Sequence, residues 1–245
     1  CRLAGRHPAM NSSAFFVTGT DTGVGKTFIT CALLHATRQR GWRAVGMKPV
    51  AAGVEADGRN EDVAQLLAAS ALAPPLEWVN PYLYDPPIAP HIAAAEAGRP
   101  IVMEVIGRAL ARLRQWADVV WVEGVGGFRV PIDERYDTAD LAQALALPVV
   151  LVVGMRLGCL NHALLTAEAI AQRGLPFAGW IANRLDPAMA RFEANLDTLQ
   201  ARLNAPLLGV VPHGVRPESA ALALHLERLA GGFRPAESAA TPPRR

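Results

Sequence analysis

The chain has 245 residues, 51% of them hydrophobic and 19% charged, with a formal net charge of +2. That much apolar material supplies a large core and excludes an intrinsically disordered chain. Scattered charge excludes a basic footprint for nucleic acid or anionic lipid, and no apolar stretch approaches the ~18–20 residues that span a bilayer, so neither nucleic acid nor membrane is an expected partner.

Along the chain, residues 1–12 read as an extension ahead of the domain. An apolar run at 14–18 reads as a strand, and 26–40 as a helix stopped near Gly41. Residues 44–48 form a second strand, followed by a loop and a helix over 60–70. The segment 73–90 is rich in proline and aromatic residues and reads as irregular. Helical patterns follow at 91–97 and 103–116. Further strands are expected at 118–122, 149–153, 177–182 and 207–211, with helices at 161–173, 187–203 and 218–230. Residues 233–245 are rich in Pro, Ala, Ser and Arg and read as a flexible tail. Strands this apolar are buried on both faces. Their alternation with helices predicts one α/β domain over 13–232: a doubly wound, mainly parallel sheet with helices on both faces. Cys1, Cys31 and Cys159 have neither metal-ligand nor disulfide-framework spacing, which favours a reducing, cytoplasmic location.

The run Gly19-Thr-Asp-Thr-Gly-Val-Gly-Lys-Thr27 follows a predicted strand and opens a predicted helix, the context of a phosphate-binding loop. Its glycines let backbone N–H groups converge on an anion, and the helix N-terminus adds a positive dipole end. Lys26 is placed to contact the β and γ phosphates and Thr27 to ligate Mg²⁺. Five residues separate Gly19 from Gly25, one more than in the common motif. Glu123 ends an apolar strand and precedes Gly124-Val-Gly-Gly127, a Walker B-like place for a metal carboxylate. Asp62, near a predicted helix start, reads from its residues alone as an acid favoured by the helix N-terminus, with metal ligation the lesser reading. Of 24 lysines and arginines only Lys26 and Lys48 are lysine. A chain this rich in arginine has kept lysine where a planar fork does not serve. Gly19, Lys48, Glu123, Gly154, Asn183 and Pro212 all fall just past predicted strand ends, where open α/β sheets collect ligands.

Taken together, Phe16-Val-Thr-Gly-Thr-Asp-Thr22, Gly25-Lys26-Thr27, Lys48-Pro49-Val50, Asn80-Pro81-Tyr82, Pro90-His91-Ile92, Glu123-Gly-Val-Gly-Gly127, Gly158-Cys-Leu-Asn-His162 and Trp180-Ile-Ala-Asn183 resemble the dethiobiotin synthetase family. The match runs over about residues 15–227. The resemblance implies a P-loop cyclo-ligase that uses ATP and Mg²⁺ to close the ureido ring of dethiobiotin from 7,8-diaminononanoate and CO₂ or bicarbonate. A substrate amine captures CO₂ as a carbamate, the carbamate takes the γ-phosphoryl group, and the second amine closes the ring on this carbamic–phosphoric anhydride. It implies Lys48 and Lys26 as catalytic residues, and Thr27, Asp62 and Glu123 as metal ligands. Gly23, Val24, Gly25, Lys26, Thr27, Phe28, Gly124, Val125 and Gly126 would line the nucleotide. Asn183 would read adenine, with Arg184, Pro212, His213, Gly214 and Glu218 nearby. It also implies a homodimer with the substrate site near the interface, Asn161 reaching the substrate carboxylate from the partner.

This chain departs from the family pattern at Ala52, where a serine is usual, at Gly23, where a glutamate is frequent, and at Asn195, in place of a tyrosine. His91 and His162 read as structural. A nucleotide-switched partitioning or regulatory ATPase of the same P-loop class is the alternative. Those proteins carry a second lysine where this chain has Asp21. A corrin amidation enzyme would need a glutaminase domain for which the chain has no room.

Overall fold

The computed structural model describes residues 12–230, so the expected extension and tail lie for the most part outside the described residues. In chain order the larger elements are β1 (Ser13–Gly19), α1 (Lys26–Gln39), β2 (Ala44–Met47), β3 (Val50–Ala52), α2 (Glu61–Ala69), α3 (Leu76–Val79), β4 (Tyr82–Tyr84), α4 (Pro90–Glu96) and α5 (Met103–Trp116). Then come β5 (Val119–Glu123), α6 (Thr138–Ala144), β6 (Val149–Met155), α7 (Cys159–Gln172), β7 (Phe177–Arg184), α8 (Phe192–Arg202), β8 (Leu207–Val211) and α9 (Pro217–Ala220).

Six strands form one sheet in the order β2-β5-β1-β6-β7-β8, every pairing parallel. Successive strand residues face opposite sides, and the core divides accordingly. Phe16, Val120 and Val122 pack with Ile106, Leu110 and Leu113 of α5 and with Leu141 of α6. Phe15, Val17 and Trp121 pack on the other face with Ile29, Leu33 and Leu34 of α1 and Leu66 of α2. Helices α7 and α8 cover Leu151, Val153 and Trp180 of β6 and β7. Strands buried on both faces by helices explain the continuous apolar runs.

Three expectations are corrected. The segment 73–90 is not irregular throughout: Val50–Ala52 pairs in parallel with Tyr82–Tyr84 in a small second sheet, with α3 just ahead of it. Helix 187–203 starts only at Phe192, after a turn in which Asp186 Oδ1 accepts from Ala188 N and Arg191 takes a φ of 56°. The last expected helix, 218–230, is one turn of α-helix followed by 3₁₀ turns at Ala221–Ala223 and Leu226–Arg228. It cannot continue because its backbone bonds to the sheet edge instead: His225 N donates to Leu208 O at 2.7 Å and Ala230 N to Ala178 O at 2.8 Å. The sequence pattern also passes over α6, whose seven residues begin at a capping box between Asp137 and Asp140.

Candidate active site

Sheet register assembles the site. Val17 pairs with Glu123 across β1 and β5, and Met47 pairs with Val122 across β2 and β5. The loop after β1, the acid ending β5 and Lys48 after β2 therefore emerge side by side at the C-terminal edge. Gly23 and Gly25 adopt φ values of 74° and 85°, left-handed conformations open to glycine at little cost. The second of these is the N-cap of α1. A Cβ on Gly19 would lie 2.6 Å from Val24 Cγ2, so the loop can close only over a bare backbone.

Lys48 is buried between two carboxylates, its Nζ 2.9 Å from Asp62 Oδ2 and 2.5 Å from Glu123 Oε1. Burial works against its charge, but Glu123 and then Asp62 overcome it and push the lysine's affinity for its proton upward. Asp62 reaches this position because Asn60 caps α2: Asn60 Oδ1 accepts from Val63 N, while Asn60 Nδ2 ties the turn to Gly53 O. Burial would raise the Asp62 carboxyl, yet Lys48 holds it below its ordinary range. Thr27 donates its hydroxyl to Glu123 Oε1 at 2.7 Å. Glu123 is wholly buried, and its Oε2 has no hydrogen-bond partner.

Lys26 folds back over the loop, its Nζ donating to Asp21 O at 3.0 Å. Burial, followed by the neighbouring charge of Lys48, lowers it from 10.5 to about 8. Asp21 in turn pairs with Arg156, 3.1 Å away at the end of β6.

Gly23, Gly25, Lys26, Thr27, Phe28, Lys48, Ala52, Asp62, Glu123, Val125 and Gly126 line one cavity of about 750 Å³. Pro87, Ile88, Pro90 and Val130 add apolar side chains to the lining of the same cavity. A second recess of about 280 Å³ shares Gly25 and Phe28 with the first and is lined by Asn183, Arg184, Pro212, His213 and Gly214. Val24 and Gly124, expected beside the nucleotide, line neither space: Val24 is buried, and Gly124 N donates to Val17 O, with room for no Cβ because one would lie 3.0 Å from Phe16 Cζ.

Two expected residues stand apart. Glu218 is outside the recess, exposed and 3.6 Å from His35. Asn161 is exposed on the first turn of α7, away from both spaces. Of the two histidines, His91 lines a separate surface groove and His162 is exposed.

Asn80 is a contributor whose role the sequence reading passed over. It is buried and donates from Nδ2 to Lys48 O at 2.7 Å and to Tyr82 O at 3.1 Å, fixing the backbone that carries Lys48. Its position in Asn80-Pro81-Tyr82, inside a segment read as irregular, was the available signal.

A family profile described as an AAA domain matches residues 13–216. The backbone is similar to that of the MinC:MinD cell division protein complex from Aquifex aeolicus, with a TM-score of 0.51 at 16% identity over 85% of this chain and 86% of that one. Parallel sheet, glycine loop into α1 and buried acid on the adjacent strand define a P-loop nucleoside triphosphatase fold. The ATP-dependent dethiobiotin synthetase BioD of Aromatoleum aromaticum is 62% identical over 87% of this chain and 97% of its own length, and that of Xylella fastidiosa (strain 9a5c) is 53% identical over 88% and 98%. The chain belongs to the ATP-dependent dethiobiotin synthetase family.

Proposed function

We propose that the chain is an ATP-dependent dethiobiotin synthetase that acts at the cavity around Lys48. The observation that carries this reading is the Lys48 ammonium, held between Asp62 and Glu123 in a cavity that the phosphate loop and several apolar side chains line together. An ATP-consuming ligation of an aliphatic diamine needs those two surfaces in one space. Cations stabilise the phosphoryl and carbamate oxygens, and apolar side chains take the hydrocarbon chain.

In this reading the base enters the recess at Asn183, with Arg184 and residues 212–214 around it, and Glu218 on the approach from α9. The triphosphate follows residues 23–28 past the backbone of Gly124, Val125 and Gly126. The donor set fits Mg²⁺. Glu123 offers a buried oxygen without a partner, Thr27 a hydroxyl beside it and Asp62 a second carboxylate, while phosphate and water complete a shell of oxygens. When bound, Mg²⁺ supplies charge neutralisation at the transferring phosphoryl group.

One amine of 7,8-diaminononanoate adds to CO₂ and loses a proton, giving a carbamate. A carbamate oxygen attacks the γ-phosphorus and ADP leaves. The second amine then attacks the carbamoyl carbon, loses its proton and expels phosphate. Lys26 stands over the phosphates, and Lys48 over the carbamate and γ-phosphoryl oxygens. Positioning and charge carry such a reaction, and no side-chain nucleophile is required.

A homodimer belongs to the same proposal. Asn161 lies on α7 between Leu157, 96% exposed, and Leu165, 57% exposed, an apolar surface suited to a second copy. Across that contact Asn161 would meet the substrate carboxylate, and Ala52 would offer only its backbone where a serine hydroxyl is usual. A cytoplasmic setting is proposed as well. Among the described residues no helix is long and apolar enough to cross a membrane.

The test is dethiobiotin formation by the purified chain from 7,8-diaminononanoate, bicarbonate and MgATP, with ADP released in equal amount. Hydrolysis of ATP without dethiobiotin, whatever the diamine concentration, would overturn the reading.

A further inference from the structure

We infer that Asn183 is a positioning residue for the phosphate loop: a strut that sets the orientation of the loop's last peptide before α1. This rests on the proposal that the loop holds the triphosphate, but it assigns Asn183 a task independent of the base.

Asn183 is next to last in β7 and paired with Gly154 on one side and Val211 on the other, so its backbone is fixed by the sheet. Its side chain is buried and crosses to the loop, where Nδ2 donates to Val24 O at 2.9 Å. The two residues are 159 apart in sequence, so the contact exists only through the fold. The loop has been shaped to receive it. A Cβ on Gly25 would come within 2.4 Å of Asn183 Nδ2, and a Cβ on Gly154 would come within 3.0 Å of Val24. Glycine at both positions lets β6 and β7 close on the Val24–Gly25 peptide from beneath.

The consequence follows from peptide geometry. In a trans planar peptide, the carbonyl of one residue and the N–H of the next point in opposite directions. Gripping Val24 O on the sheet side turns Gly25 N–H toward the cavity, where a convergent donor is needed to bind an anion. Gly25 O meanwhile accepts from Ile29 N at 2.9 Å as α1 begins. Without the amide, this peptide is free to flip and withdraw the donor. The same side chain lines the base recess, so it connects the recess to the phosphate loop.

Inorganic tripolyphosphate, which has phosphates and no base, separates the two tasks. Its affinity is measured calorimetrically for the full chain and for Asn183→Ala and Asn183→Leu. The leucine variant keeps the branched side-chain shape while removing the donor. Both should bind tripolyphosphate roughly fivefold or more weakly, the scale of one lost hydrogen bond. Melting of the leucine variant should fall by no more than about 6 °C, the scale of one lost hydrogen bond in a domain of this size, so that the binding loss is one of loop geometry and not of folding. Weaker ATP binding with unchanged tripolyphosphate binding in the leucine variant would reduce Asn183 to a base contact and overturn the inference. Lys26→Gln serves as the reference: if it leaves tripolyphosphate binding intact, the error lies in the phosphate-loop assignment and not in the strut.

Discussion

Replacing Lys48 by methionine should convert a site that guards itself against cations into one that requires them. The lysine side chain is 4% exposed, and its ammonium is the close cationic partner of a glutamate that is 0% exposed. Methionine preserves most of the volume and removes the charge, leaving Glu123 with the Thr27 hydroxyl and the more distant Lys26. Removing one partner of a buried ion pair costs about 3–5 kcal/mol. Asp62 adds little to this sum, since its side chain is 43% exposed and water screens it. For a domain of this size each kcal/mol moves Tm by about 2–4 °C, so the nucleotide-free variant should melt roughly 6–20 °C below the parent.

Mg²⁺ added alone should then restore part of the loss, about 2.7 kcal/mol when it reaches one hundred times its Kd, because it finds two carboxylates with no ammonium between them. In the parent, Lys48 already occupies that place, and Mg²⁺ alone should leave Tm nearly unchanged until ATP supplies phosphate oxygens. The assay is a thermal melt of both proteins with and without MgCl₂, with NaCl matched for ionic strength. Equal melting temperatures without metal, or equal responses to Mg²⁺, would refute the reasoning.

Arginine in place of Lys48 should keep ATP binding and lose most turnover. The guanidinium is too wide for the gap between Asp62 and Glu123 and cannot place a point charge there; parental rates would remove Lys48 from the mechanism. Asp62→Asn should weaken Mg²⁺-dependent ATP binding by about tenfold while shifting stability by less than ~1 kcal/mol, as a half-exposed pair permits. An unchanged Mg²⁺ requirement would return Asp62 to a simple helix-end acid. Lys26 should make ATP binding take up protons. Because burial and Lys48 lower it from 10.5 to about 8, the folded chain releases this proton before the unfolded chain does, and stability rises with pH between those values. Phosphates reverse the shift, so near pH 8.5 binding should absorb a sizeable fraction of one proton. Calorimetry in buffers of different ionisation enthalpy measures it, and buffer-independent heats would contradict it. Leu165→Glu should convert a dimer to a monomer in light scattering; an unaltered mass would place any interface elsewhere.

The parts of this site legible in the sequence are those whose chemistry is local. Gly23 and Gly25 announce left-handed backbone because few other residues take it readily, and Glu123 announces itself by ending an apolar strand before more glycine. Asp62 was ambiguous for the converse reason. An acid on the first turn of a helix looks the same whether it faces water or Lys48, and only the Asn60 cap and its tie to Gly53 decide which. Asn80 and Asn183 act on backbone carbonyls far along the chain, contacts that leave no periodic trace. The missed strands β3 and β4 have three residues each, too short for an alternation to register. The final helix failed because helical spacing of apolar residues also serves a segment whose backbone bonds to the sheet edge.

The two lysines divide along the same line. Lys26 is specified by a motif, and its neighbours in sequence suffice to explain it. Lys48 has only the short run Lys48-Pro49-Val50, which does not explain it, and is placed by three residues from three other parts of the fold: Asn80 holds its carbonyl, and Asp62 and Glu123 hold its ammonium. Arginine, which serves this chain at every basic position but the two lysines, would need more width than those three leave. The compositional bias thus marks a geometric constraint: a slot closed by two carboxylates admits a compact charge on a flexible stem.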